Sequence, residues 1–119
     1  MKAKWIQKTS YITLSDDAGQ LMHCPACGHG YTHHERIELF QRDIEDAKTG
    51  LHISAEGTDM DIDRDMADNP SYRRNGIRIY FSCESCCSDD SDHPRFSVTI
   101  VQHKGRTFFE AQYYVEDKS

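Results

Sequence analysis

Apolar side chains are scarce in this chain. Hydrophobic residues make up 37% of its 119 positions and charged residues 29%, which leaves little apolar surface to close a core of this size. An additional cross-link is therefore expected. No apolar run approaches the roughly 18 to 20 residues that span a bilayer as a helix, and the opening MKAKWIQKTSYITL lacks the h-region of a secretion signal. The expectation is a soluble, cytoplasmic protein with no membrane association. Helical periodicity is also nearly absent. Only Arg42 to Lys48 suggests a helix, too short to stand without packing. There is no low-complexity linker and no internal repeat beyond two cysteine motifs, and the length suits a single domain covering residues 1–119.

What is present is alternation. In GIRIYFSC, Ile77, Ile79, Phe81 and Cys83 alternate with Arg78, Tyr80 and Ser82, the period of a strand with one inward face. RFSVTIVQH and RTFFEAQYYV repeat the pattern on either side of Lys104-Gly105, which predicts a hairpin. RIELF and LHISAE alternate in the same way, DAKTG between Asp46 and Gly50 suggests a turn or one helical turn, and Asn75-Gly76 is a tight-turn signal. The predicted fold class is mostly β, a small domain of antiparallel hairpins.

The cysteines supply the cross-link. Cys24-Pro25-Ala26-Cys27 and Cys83-Glu84-Ser85-Cys86 are two C-x2-C pairs separated by about 55 residues, Gly28 to Ser82. A two-residue spacer lets both sulfurs of a tight turn face one ion, and tetrahedral Zn²⁺ takes four thiolates at about 2.3 Å. Gly28, just past the second sulfur, suits the positive φ that such a turn adopts, and Pro25 stiffens it. The predicted ligands of one structural Zn²⁺ are Cys24, Cys27, Cys83 and Cys86. Cys87, next to Cys86, is an alternative ligand through a C-x3-C register. The long spacing requires an insertion of strands, about residues 36–75, and closure entropy grows only logarithmically with such a loop. A thioredoxin-type dithiol would need a helix after Cys24, whereas GHGYTHHE follows.

His23, His29, His33 and His34 crowd the first cysteine pair and raise the alternative of a metal-dependent hydrolase with Glu35 as base. Adjacent histidines on a strand point to opposite faces, and no H-E-x-x-H pattern accompanies them. The expectation is a protein that is not an enzyme.

The net charge of −6 disfavours nucleic acid at long range, but the charges are uneven. Arg73, Arg74 and Arg78 with Tyr72 and Tyr80 form a candidate nucleic-acid contact, in which arginines pair with phosphates and aromatics stack on bases. Asp59, Asp61, Asp63 and Asp65 form a candidate acidic surface for a basic partner, with Met60 and Ile62 expected to face the core. The same run departs from a calcium loop, having Arg64 at the sixth position and Pro70 at the twelfth.

With strands leading into both cysteine pairs, the chain resembles the zinc-ribbon superfamily over Cys24 to Gly28 and about Ile77 to Val115. As a whole, CPACGHGYTHHE, NPSYRRNGIRIYFSCESC and QHKGRTFFE look like small proteins of tailed phages and prophages. The resemblance implies a zinc-stabilised accessory factor with a protein partner, acting in the host cytoplasm by docking on or inhibiting a nucleic-acid-processing or defence complex. The alternative is a DNA- or RNA-binding ribbon, because the fold serves many roles.

Overall fold

The computed structural model describes residues 5–84 and 96–116. Among them are nine strands and no helix: β1 Trp5–Ser10, β2 Leu14–Asp17, β3 Gly19–Met22, β4 Thr32–Arg42, β5 Thr49–Glu56, β6 Asp59–Asp65, β7 Gly76–Cys83, β8 Phe96–His103 and β9 Arg106–Glu116. Seven strands form one antiparallel sheet in the order β1-β9-β8-β7-β4-β5-β6, and β2 and β3 form a separate hairpin. No helix among the described residues is long and apolar enough to cross a membrane.

The alternating runs behave as strands should. Lys104 (φ 50°) and Gly105 (φ 74°) both take left-handed backbone, which matches the twist of the flanking strands and closes the β8–β9 hairpin with His103 opposite Arg106. Residues 42–48 are not helical. Arg42 ends β4 and Asp46 adopts a turn conformation with φ 69°. The Asn75-Gly76 pair does not make a hairpin either. Gly76 opens β7, and β6 and β7 lie on opposite sides of the β4–β5 pair, so residues 66–75 must cross the end of the sheet.

Arg42 holds that crossing in place. Its guanidinium donates to the carbonyls of Ala47, Ser71 (3.3 Å), Tyr72 (3.2 Å) and Arg74 (3.0 Å), while its backbone N–H donates to the Asn75 side chain at 2.6 Å. The buried Ser71 hydroxyl donates to the Asn75 carbonyl and accepts from the backbone N–H of Gln102 at 3.0 Å. Backbone groups that leave the ladders are thereby satisfied.

The register sorts side chains onto two faces. Arg36, Glu38, Phe40, His52, Ser54, Tyr80 and Thr99 share one, and Ile37, Leu39, Ile53, Ile77, Ile79, Val98 and Ala111 share the other. One hydrophobic cluster lies at one end of the second face, where Cys24, Cys83, Phe96 and Val98 are buried against Ile12, Met22, Ala26, Phe81 and Tyr113, while Phe40 is fully buried on the first. Phe81 and Phe96 stack with ring centroids 4.9 Å apart. The core-facing role expected for Met60 and Ile62 is not observed: they are 62% and 57% exposed, because β6 is an edge strand with no layer beneath it among the described residues.

Candidate metal centre

β3 runs through His23 into the first cysteine turn. The Cys24 N–H donates to the His29 carbonyl and the Gly28 N–H to the Cys24 carbonyl, both at 2.8 Å. Gly28 takes φ +81°, the left-handed conformation that costs glycine least, so the turn can reverse just after Cys27. His23 braces it from outside. Its Nδ1 lies 2.9 Å from the Gly28 carbonyl oxygen, which can only accept, so Nδ1 carries the proton. Nε2 is then the acceptor for the Ser15 hydroxyl at 2.6 Å.

The chain leaves this turn as β4 and returns beside it as β7. Thr32 pairs with Cys83, and the Glu84 N–H donates to the Tyr31 carbonyl at 3.1 Å. The long cysteine spacing is thus an excursion through β4, β5, β6 and the crossing segment whose two ends are adjacent ladder positions. The antiparallel ladder brings the two ends side by side.

Three sulfurs meet there. Those of Cys24, Cys27 and Cys83 all lie within 4.8 Å of one another, and Cys27 and Cys83 are 3.5 Å apart. That is far beyond a disulfide bond of about 2.05 Å and close to the edge of about 3.8 Å expected for a tetrahedron with metal–sulfur bonds of about 2.3 Å. Cys24 is 1% exposed and Cys83 9%, while Cys27 is exposed. The three cysteines can therefore hold a metal ion, and the donor set is of the kind that soft or borderline ions take. Cys86 and Cys87 lie outside the described residues.

The neighbouring histidines are brought near the cysteine turn but not into the cluster. His33 pairs with Glu84 at 3.1 Å on the surface, His34 is exposed, and the His29 ring packs against Tyr31 with centroids 5.1 Å apart. Glu35 sits at a bulge between β4 and β7 and accepts from the Ser82 hydroxyl at 2.6 Å.

The candidate nucleic-acid residues are scattered in role. Arg73 clamps Asp46 through two bonds of 2.6 and 2.7 Å and also approaches Glu45 at 3.4 Å. Its guanidinium holds the Asp46 carboxyl below the usual range. Arg74 pairs with Glu45 at 3.2 Å. Arg78 reaches the Asp68 carbonyl at 3.4 Å, and its buried Nε has no partner among the described residues. Tyr72 is almost fully exposed, but the Tyr80 hydroxyl is turned inward to Glu38. On the acidic side, Asp59, Asp61, Asp63 and Asp65 are all exposed along β6.

A second polar cluster was not anticipated from sequence. Glu38, 2% exposed at the sheet centre, accepts from the Tyr80 hydroxyl and faces His52 Nε2, both at 2.7 Å, and it pairs with Arg36 at 3.1 Å. His52 Nδ1 reaches Asp63 at 2.9 Å, and the His52 ring stacks on Phe40 at 4.4 Å. Burial pushes the Glu38 carboxyl up, but the bonds from Tyr80 and His52 and the charge of Arg36 outweigh it and hold it below its ordinary range. Burial likewise opposes the charge on His52, yet its bonds to Glu38 and Asp63 raise it above its ordinary value. The signal available in the sequence was a glutamate on the alternating strand RIELF.

No family model, no curated protein and no solved structure matches this chain.

Proposed function

We propose that the chain is a non-enzymatic binding protein whose fold is closed by one structural Zn²⁺. Cys24, Cys27 and Cys83 would hold the ion, and Cys86 would complete the set through the second C-x2-C. The observation that carries this reading is the meeting of three sulfurs from the two ends of a long excursion, with two of them buried in the core. An all-thiolate set leaves no coordination position for water and is the structural kind of zinc site. The ion would supply cross-linking that a chain poor in apolar residues otherwise lacks.

The partner class we infer is a protein with a basic surface. The exposed aspartates of β6 and the net charge of −6 support it, as does the engagement of Arg73 and Arg74 by Glu45 and Asp46, which reduces their charge toward phosphates. The finer reading is a phage or prophage accessory factor that docks on or inhibits a host nucleic-acid-processing or defence complex. It rests on the sequence resemblance.

The experiment is a titration of the metal-loaded chain with labelled single-stranded and duplex oligonucleotides over a salt series. No binding at any salt is expected. Binding that weakens steeply with salt is the mark of phosphate contacts and would overturn this reading in favour of a DNA- or RNA-binding ribbon.

A further inference from the structure

The face of the large sheet opposite Glu38 is apolar across six strands. The register aligns Met60, Ala55, Ile37, Ile79, Val98 and Ala111 in one row and Ile62, Ile53, Leu39, Ile77, Ile100 and Phe109 in the next. None of the twelve positions carries a charge. The core beside the cysteines buries Val98, and Ala111 is fully buried. Away from that end the face is open, with Ile37 37%, Phe109 53%, Ile62 57% and Met60 62% exposed, and Leu51 on the same face 43% exposed.

A stable β domain ordinarily buries such a face against a second layer. Among the described residues there is one large sheet and one short hairpin, and none of them forms a second layer over β4, β5 and β6.

We propose that a second copy of the chain covers this face, sheet against sheet, in a two-fold dimer. The area is adequate. With about 200 Å² for a fully exposed large side chain, the five most exposed residues contribute roughly 500 Å², and the half-buried members of both rows bring the face toward the ~800 Å² that each partner of a stable complex provides. That exceeds the few hundred Å² of contiguous apolar surface a monomer usually shows.

The charge arrangement also favours a copy of itself. The aspartates of β6 share the other face, where Asp63 reaches His52. Pairing the apolar faces therefore turns both acidic rows outward, away from each other, despite a net charge of −6 on each chain. An uncharged stripe gives a heterologous partner nothing electrostatic to select, whereas self-packing at the usual sheet separation of about 10 Å requires only matching apolar relief.

The test is sedimentation equilibrium on the full chain with its metal, on wild type and on Ile62→Glu and Phe109→Glu. Both positions are more than half exposed, so either variant should fold, and far-UV circular dichroism with a thermal melt checks this independently of the metal-centre reading. The wild type is expected at twice the chain mass of 13.7 kDa and both variants at the single mass with an unchanged spectrum and a cooperative melt. A wild type of single mass at every concentration up to its solubility limit would overturn the proposal and leave the face to a different partner. A dimer that survives both substitutions would also overturn it, since the contact would then lie elsewhere.

Discussion

His52 Nε2 lies 2.7 Å from Glu38 Oε2, and the pair joins β5 to the centre of β4 on the polar face of the sheet. Tyr80, Arg36 and Asp63 complete the arrangement from β7, β4 and β6. The folded chain holds His52 above its ordinary value of 6.5 and Glu38 below its ordinary value of 4.5.

The sign of the pH dependence follows from these directions. A raised histidine stabilises fully below about pH 6.5 and loses that contribution as the pH climbs through its folded-state value. A lowered glutamate stabilises fully above about pH 4.5 and loses that contribution as the pH falls through its folded-state value. The network should therefore stabilise most between those limits. His52→Gln is expected to cost about 2 kcal/mol there, as for a bond to a buried charged group. Denaturant unfolding of both proteins across pH reads the difference, which should shrink on the alkaline side. A difference independent of pH would count against the charged pair.

Gly28→Ala isolates the conformation of the cysteine turn. A Cβ at Gly28 meets no atom within 4 Å, so the penalty comes from φ +81° alone and should be about 1 to 2 kcal/mol. Urea midpoints measured on the metal-loaded protein check it. No change would mean that the turn relaxes freely.

The register of the second cysteine pair separates Cys86 from Cys87. Cys86→Ser should lose metal and destabilise the chain as Cys24→Ser does, while Cys87→Ser should keep both metal and melting temperature. The reverse outcome would assign the fourth sulfur to Cys87.

Arg73→Ala tests what the arginines are for. Arg73 spends its fork on Asp46 at the surface, so its removal should barely move the melting temperature, as for an exposed ion pair, and the variant should bind oligonucleotide no differently from a wild type expected not to bind it. A large loss of affinity would restore a phosphate-binding role to the Arg73–Arg74 loop.

Alternation made β4, β5, β7, β8 and β9 legible, because side chains of period two sort onto two faces wherever a ladder forms. The meeting of Cys24 and Cys27 with Cys83 was legible for a different reason, since a metal site constrains both residue type and spacing. The contact between His52 and Glu38 was not, because it depends on the pairing of Phe40 with His52, a register that turn residues around Asp46 decide. The tight-turn signal of Asn75-Gly76 did not say which segments it joins: it ends the crossing segment, where Asn75 accepts from the Arg42 N–H, and Gly76 opens β7. Met60 and Ile62 alternate correctly, yet alternation says only which face a residue takes and not whether anything covers that face.

The most direct measurement is elemental analysis of the purified chain combined with thermal unfolding before and after chelation. One zinc ion per chain, lost together with cooperative unfolding when a strong chelator is added, is the expected result. A chain that is free of metal as isolated and melts at the same temperature with or without chelator would contradict the metal-closed fold.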